Sequence, residues 1–502
     1  MSPPAAWRLP GDAAMGNDRR RGWGGTVALG LAGGAAAGLA LPPLGWLPLL
    51  WLALALLWGL AGSPPLAFRP AALAGFLWGL AAVLVSHRWL LWLHPLDWVG
   101  VPGPLSLPVC LVLWLLVAGW LLLVHRLDPA RLSTALLAAA LWGLAEVSLA
   151  RGPLFWIGLG AAPLPADRSL AGVAALGGAG SLAALQLLIG WALWRAVVMP
   201  QQRRAASALA LLLTLAGHLG GQAALAAGQR GDGPAERLLV LQPAIPTRSK
   251  FTADQQIRLL RQLDRALASL AAPPAVASLL LPEGALTAGQ RLPSPSPVEV
   301  LSGGFRQEGQ ELRSSLLRFP AGGREPVGWL DKHRVVPLGE WVPLAGLLRW
   351  SGLSAVGGVE PGPASRLLVR PAGPVGVAIC YELSDGSALA AASREGARWL
   401  LASANLDPYP ALLQGQFQAL ARLRAIETGR WLVSAANTGP SLLVDASGEV
   451  RQALPAGRSG SAVMTLHQRS SLTPYARWGE LPLLALALLG GGMRLGSGRR
   501  GG

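Results

Sequence analysis

The sequence predicts a multi-span α-helical membrane domain fused to an α/β domain. Of its 502 residues, 52% are hydrophobic and only 14% are charged, which is too apolar for an ordinary water-soluble protein. Long apolar stretches fill the first half, whereas short β-rich runs alternate with helical patterns in the second half. We therefore expect the first half to lie in a membrane and most of the second half to fold outside it.

Seven stretches in the first half are each long enough to cross a membrane, for which about 20 apolar residues suffice. They are residues 24–40, 44–62, 71–93, 105–124, 132–150, 170–198 and 205–227. A shorter stretch, 481–493, follows interfacial Tyr475 and Trp478 and precedes Arg494, and we expect an eighth span there. The basic "RRRGW" is typical of a signal peptide, but no clear A-x-A site follows, so we expect the first span to be an anchor.

The net charge of +16 is distributed as membrane topology requires and does not indicate a nucleic-acid partner. Among the arginines that flank the spans, only Arg88, Arg151 and Arg168 fall in odd-numbered loops; the others fall in the tails and even-numbered loops. Because positive loops stay cytoplasmic, we expect a cytoplasmic N-terminus. Seven spans then bring the segment after residue 228 to the outer face.

The domain limits follow from this pattern. We expect a cytoplasmic tail at 1–22, a seven-helix domain at 23–228, an outer domain at 232–475, a last helix at 478–494 and a second tail at 495–502. In the outer segment, helical patterns at 253–271 and 414–428 alternate with β-rich runs such as 373–382. This alternation predicts one α/β domain whose sheet is covered by helices on at least one side.

The chain has only two cysteines, Cys110 in a predicted span and Cys380 in the outer domain, so we expect no disulfide and a free thiol at Cys380. The six histidines show no metal-ligand spacing.

Three polar residues stand at the ends of apolar runs in the outer domain. Glu283 ends "SLLLPEG", Lys332 follows "VGWLD", and Cys380 ends "VGVAIC". Taken singly, they fit a solvated glutamate, a surface ion pair with Asp331 and a small buried thiol. Together they fit covalent catalysis, in which Glu283 is the base that activates the thiol. The cation of Lys332 would favour the thiolate and stabilise an oxyanion.

The segments around these residues resemble a known family. In order, "LPEG", "DKHRVVPLGEWVP" and "ICYE" resemble the Glu-Lys-Cys signatures of the nitrilase superfamily, and their detail is similar to the apolipoprotein N-acyltransferases. Further similar segments are "LWGLAEVSLARG" (141–152), "LQPAIPTRSKF" (241–251) and "RAIETGRWLVSAANTGPS" (424–441). The resemblance covers nearly the whole chain and implies a nitrilase-like αββα sandwich between membrane anchors.

The resemblance also implies a reaction. Cys380 would take a fatty acyl chain from a membrane phospholipid as a thioester and pass it to the α-amino group of the diacylglyceryl-cysteine of an apolipoprotein. Glu283 would be the general base and Lys332 the oxyanion stabiliser, without metal or other cofactor. The implied location is the bacterial inner membrane, with a periplasmic catalytic domain, and we expect a monomer. The resemblance implies supporting roles for Glu340 and Glu382. We also expect substrate-binding or supporting roles for Phe251, Trp341, Trp350, Tyr381 and Asn405.

Two segments bear on substrate binding. Residues 341–358 are unusually apolar, and our hypothesis is a mobile lid that dips into the membrane; a buried covering loop is the alternative. The segment "SANLDPYPALLQGQF" (403–417) departs from the family pattern, with Asn405 and Asp407 at its polar positions and Phe417 where a histidine often follows glutamine. This departure concerns the preference for donor or acceptor.

Two other functions fit parts of the pattern. One is a membrane-tethered nitrilase-type amidase or hydrolase with water as acceptor, and the other is a catalytically inactive membrane scaffold. The intact Glu283, Lys332 and Cys380 argue against a scaffold, and the eight spans argue against a hydrolase of small amides.

Overall fold

The computed structural model describes residues 18–61, 68–97, 101–119, 131–229, 233–250, 252–270, 275–337, 340 and 358–498. Three predicted supporting residues, Phe251, Trp341 and Trp350, lie outside the described residues. So does the predicted lid, except for Gly358.

Each predicted span contains one apolar helix. These helices are α1 (Asp18–Ala40), α2 (Leu47–Ala61), α3 (Phe68–Ser86), α4 (Gly103–Gly119), α5 (Leu132–Ala150), α7 (Ala174–Val198), α8 (Arg203–Gln229) and α13 (Leu481–Gly498). By length and composition, three helical stretches in the described part of the chain can cross a membrane: Leu132–Ala150, Ala174–Val198 and Pro200–Gly228. The other five contain shorter apolar stretches, within residues 24–115 and at 481–495.

Two predicted spans are interrupted. The third was predicted over 71–93, and in the structure α3 ends at Ser86 and a 3₁₀ turn follows at Arg88–Leu93. In the sixth, the short α6 (Arg168–Ala171) precedes α7, and α7 is kinked at Gly178. Gly178 has a φ of 77°, and a Cβ atom there would lie 2.3 Å from the ring of Tyr475. Glycine is therefore required both by the backbone and by the aromatic ring packed against it.

Small residues allow the first helices to pack closely. Gly30, Gly34 and Gly38 recur every fourth residue along α1, and a Cβ atom at Gly34 would lie 2.0 Å from the backbone oxygen of Trp78 on α3. Close approach of backbones at such glycines is a usual mode of helix association in membranes.

The second half folds into two six-stranded sheets within the described residues. The strands are β1 (Ala235–Gln242), β2 (Ser278–Leu286), β3 (Glu299–Glu308), β4 (Glu311–Phe319), β5 (Gly328–Asp331), β6 (Leu367–Leu368), β7 (Val375–Ile379), β8 (Trp399–Ala404), β9 (Leu432–Ala436), β10 (Leu442–Val444), β11 (Val450–Ala453) and β12 (Gly460–His467). The first sheet has the order β12-β1-β2-β3-β4-β5, and the second has the order β11-β10-β9-β8-β7-β6.

The sheets pack face to face between two helical layers. Buried side chains such as Val240, Leu280, Val377 and Leu401 form the core between the sheets. Helix α9 (Ala253–Ser269) covers the outer face of the first sheet. Helices α10 (Gly386–Arg394) and α11 (Ala411–Thr428) cover the outer face of the second. The domain is thus an αββα sandwich, with helices on both outer faces.

The sandwich is joined to the apolar helices through α11 and through α12 (Pro474–Trp478), which leads into α13. Leu420 and Leu423 of α11 belong to the same apolar core as Leu182 of α7. The carboxylate of Glu427 accepts a hydrogen bond from the backbone N–H of Ala179, at 2.8 Å. The sandwich is therefore fixed to the apolar helices by both apolar packing and a polar contact.

Candidate active site

Glu283, Lys332 and Cys380 line one open cavity of about 130 Å³. Lys332 directly follows β5, and Cys380 directly follows β7. Glu283 does not end its strand, as the sequence suggested, because β2 continues to Leu286. The pairing of β2 with β3 is irregular between Leu281 and Leu286, and this irregularity contains Glu283.

Lys332 is the centre of the ionic network. Its side chain is fully buried, and its Nζ lies 2.8 Å from Oε1 of Glu283 and 2.7 Å from Oε1 of Glu340. Burial opposes the charged form, but the two carboxylates outweigh burial and hold the pKa of Lys332 well above its ordinary value. The alternative of a surface ion pair with Asp331 is wrong, because Asp331 pairs with Arg306 at 2.7 Å.

Cys380 is held in a strained backbone conformation. Its φ is 55°, in the left-handed region that residues other than glycine rarely adopt. Burial, together with the negative charge of Glu283, raises the pKa of the Cys380 thiol well above its usual range. The positive charge of Lys332 lowers the pKa of Cys380, as expected, but this effect is smaller than the combined effect of burial and negative charge. The resting thiol therefore keeps its proton and needs a base, and the carboxylate of Glu283 lines the same cavity.

The second oxygen of Glu283 is held by the backbone. Its Oε2 accepts a hydrogen bond from the N–H of Asn405 at 3.0 Å. The Asn405 side chain accepts from Nδ2 of Asn437 at 2.9 Å and donates to Oγ1 of Thr247 at 2.9 Å. Asn405, one of the expected supporting residues, therefore lines the cavity, whereas Asn437 and Thr247 were not among the predicted residues.

Glu340 and Tyr381 support the segment that carries Lys332. Oε2 of Glu340 accepts from the N–H of Val336 at 2.8 Å, and the hydroxyl of Tyr381 donates to the carbonyl of Val335 at 3.1 Å. The guanidinium of Arg334 lies 4.6 Å from the centre of the Tyr381 ring. Burial raises the pKa of Tyr381 to about 12, so its hydroxyl remains protonated.

Glu382 joins the segment after β5 to the turn that holds Cys380. Its Oε1 accepts from the N–H groups of His333 and Arg334, at 2.7 and 3.0 Å. Its Oε2 accepts from the N–H of Ile379 at 2.8 Å, and Arg366 donates to both oxygens at 3.1 Å. The Glu382 side chain is buried and is not part of the cavity lining, so it acts by positioning the two segments that carry Lys332 and Cys380.

Lys250 and Tyr409 are among the cavity-lining side chains that the sequence did not identify. Lys250 lies in the quoted segment 241–251, but it does not directly follow a strand, so the pattern of polar residues at strand ends does not identify it. Tyr409 lies in the divergent segment 403–417, where the family pattern offered no guide. Both reach the cavity through loops whose paths are set by long-range contacts.

Known proteins match the chain over most of its length. Residues 33–192 match the family described as apolipoprotein N-acyltransferase N-terminal domain, and residues 300–475 match the carbon-nitrogen hydrolase family. An apolipoprotein N-acyltransferase of Prochlorococcus marinus (strain MIT 9313) is 48% identical over 94% of this chain and 96% of that protein. The chain belongs to the apolipoprotein N-acyltransferase family. A second member, from Parasynechococcus marenigrum (strain WH8102), is 49% identical over 89% of this chain and 95% of its own length.

Family membership confirms the main predictions of fold and class. The chain is an acyltransferase and a membrane protein, with apolar helices joined to a nitrilase-like α/β domain. Among solved structures, Nit3 of Saccharomyces cerevisiae is similar at 15% identity and a TM-score of 0.36, over 47% of this chain and 91% of that one.

Proposed function

We propose that the chain transfers a fatty acyl group from a membrane phospholipid to the α-amino group of the diacylglyceryl-cysteine of an apolipoprotein. Cys380 is the nucleophile, Glu283 the general base and Lys332 the oxyanion stabiliser. The observation that carries these assignments is the 2.8 Å contact between Glu283 and Lys332 in the cavity that Cys380 also lines.

In the first half-reaction, Glu283 removes the thiol proton, and the sulfur of Cys380 attacks the ester carbonyl carbon of the phospholipid. The carbonyl electron pair moves to oxygen, where the ammonium of Lys332 stabilises the negative charge. The ester C–O bond then breaks, and the departing glycerol oxygen takes the proton from Glu283. The products are a lysophospholipid and a thioester on Cys380.

In the second half-reaction, the α-amino nitrogen of the acceptor attacks the thioester carbonyl. Glu283 accepts the proton that this nitrogen loses, and Lys332 again faces the oxyanion. The C–S bond breaks, an amide is released, and the thiolate recovers its proton from Glu283. The cycle closes without a net change in the enzyme.

The fused architecture supports a lipid substrate. Moving a chain of about sixteen carbons into water costs on the order of 10 kcal/mol at ~0.8 kcal/mol per CH₂, so the thiol has to meet its donor at the bilayer. The packing of α11 against α7 keeps the catalytic domain at the membrane. We place that domain on the periplasmic side of the inner membrane, in a monomeric, multi-pass chain with the limits given above.

Mass spectrometry of the intact protein tests this function. After incubation with dipalmitoyl phosphatidylglycerol, wild-type protein and a Cys110→Ala variant should carry one palmitoyl group, whereas Cys380→Ala should carry none. Cys110 is a matched control, because it is also a buried free thiol. The adduct should persist until a diacylated lipopeptide is added. Release of free palmitate without lipopeptide would indicate a hydrolase, and absence of any adduct would indicate a scaffold.

A further inference from the structure

The cavity contains a second ammonium group that this reaction does not use. Lys250 is only 6% exposed, and its Nζ donates to the backbone carbonyl of Glu283 at 3.1 Å. A lysine ammonium has three N–H donors, and within the described ranges Lys250 has no other hydrogen bond from Nζ and no ion-pair partner. Because burying an incompletely paired charge is unfavourable, the arrangement is suited to an anion that enters with the substrate.

The hydroxyl of Thr247 is a second donor directed to the same cavity. Asn437 has a fixed orientation, since its Oδ1 accepts from the N–H of Ile245 at 3.0 Å and its Nδ2 donates to the carbonyl of Ile245 at 2.7 Å. Asn437 therefore donates to Asn405, and Asn405 donates to Oγ1 of Thr247. The hydroxyl oxygen is used as an acceptor in this chain, so its own proton remains available for a ligand.

The carboxylates around these donors are already engaged. Glu283 and Glu340 both contact Lys332, and Asp407 accepts from the N–H of Thr247 at 2.6 Å.

Space beside the ammonium is kept by Gly284, where a Cβ atom would lie 2.9 Å from Nζ of Lys250. Burial lowers the pKa of Lys250 to about 8, against the opposing charges of Glu283 and Asp407, so the group is still mostly cationic at neutral pH.

Of the two substrates of the proposed function, the phospholipid that donates the acyl chain carries an anionic group that suits these hydrogen-bond donors. The acceptor presents an amine, which an ammonium group repels, and the acyl chain is apolar. The phosphodiester of a phospholipid is an anion that takes charge-assisted hydrogen bonds from ammonium and hydroxyl donors.

We propose that Lys250 and Thr247 form an anion subsite that binds the phosphodiester of the donor while its ester carbonyl meets Cys380. The inference rests on the proposed function and adds a recognition element to it. Lys250 and Thr247 thus bind the phospholipid, and the chemistry at the sulfur is carried out by Glu283, Lys332 and Cys380.

Two acyl-donor lipids that differ in the phosphate group test the subsite. Acyl-enzyme formation is measured with dipalmitoyl phosphatidylglycerol and with dipalmitoylglycerol, which has the same esters but no phosphate, and alkylation of Cys380 by iodoacetamide serves as a lipid-independent readout. In Lys250→Met and Thr247→Val we expect KM for the phospholipid to rise about tenfold or more, with kcat within about threefold of wild type. Dipalmitoylglycerol turnover and alkylation should stay unchanged. Lys250→Arg should retain most phospholipid affinity, because it keeps the positive charge.

The matched control is Arg258→Met, which removes an exposed cation from α9 outside the cavity lining and should leave both donors unaffected. Equal slowing of both donors and of alkylation in Lys250→Met would overturn the subsite and assign Lys250 to holding the Glu283 backbone. An unchanged phospholipid KM in both variants would overturn it as well. Failure of wild type to form an acyl-enzyme from either lipid would instead overturn the proposed function, and the subsite with it.

Discussion

Replacing Glu382 with glutamine should disconnect the two segments that carry Lys332 and Cys380. A glutamine presents an NH₂ group where one carboxylate oxygen was, and that group cannot accept a hydrogen bond. In one orientation the N–H of Ile379 loses its acceptor, and in the other the N–H groups of His333 and Arg334 lose theirs. In both orientations the buried guanidinium of Arg366 loses its ion pair with Glu382.

The magnitude follows from these contacts. Breaking a buried ion pair by removing one partner costs about 3–5 kcal/mol, and an orphaned buried N–H costs about 1–3 kcal/mol, although the two effects do not simply add. We expect a loss of about 4 kcal/mol in the free energy of unfolding of the catalytic domain. At roughly 2–4 °C per kcal/mol, its Tm should fall by roughly 8–16 °C. A shift of about 1 Å between Lys332 and Cys380 should slow acylation by about 100-fold.

Two assays check this prediction below the new Tm. Thermal unfolding in detergent measures stability, and the rate of palmitoyl adduct formation on Cys380 measures catalysis. The matched control is Glu360→Gln, a surface glutamate whose substitution should change neither quantity. A Glu382→Gln variant with Tm within 2 °C and acylation within about twofold of wild type would refute the reasoning. In either orientation of the amide, the described contacts leave at least one buried N–H group without its acceptor.

The other predictions concern the polar contacts that hold the catalytic domain in place. Burial raises the pKa of Glu427 to about 7, against the attraction of Arg424, so the folded state binds this proton more tightly than the unfolded state. The free energy of unfolding should therefore decrease as pH rises from about 4.5 to about 7, and Glu427→Gln should flatten this slope in melting curves; an unaltered slope would contradict the assignment. Gly386→Ala would bring a Cβ atom to 1.6 Å from Nη1 of Arg424, and we expect Tm to fall by several degrees, whereas Gly491→Ala, with open space around the added methyl, should not lower it. Asn437→Ala should slow acylation about tenfold, because the loop that donates to the general base loses its anchor; an unchanged acylation rate would argue otherwise.

Features that depend on local pattern could be predicted from the amino-acid sequence. Apolar stretches of span length located the membrane helices, and the alternation of β-rich and helical segments predicted the α/β class. Polar residues next to buried strands identified Glu283, Lys332 and Cys380, and the quoted motifs added Glu340, Tyr381, Glu382 and Asn405. These signals are readable because they lie within a few neighbouring residues.

The contacts between these residues depend on how distant segments of the chain pack together. Lys332 and Glu283 are 49 residues apart in the chain, and their contact depends on the pairing of strands within one sheet. The irregular register at Glu283, the left-handed φ of Cys380 and the approach of Lys250 to the Glu283 carbonyl all arise from packing between distant segments. Whether a buried group is charged also depends on which carboxylates surround it, and local sequence carries no record of such neighbours.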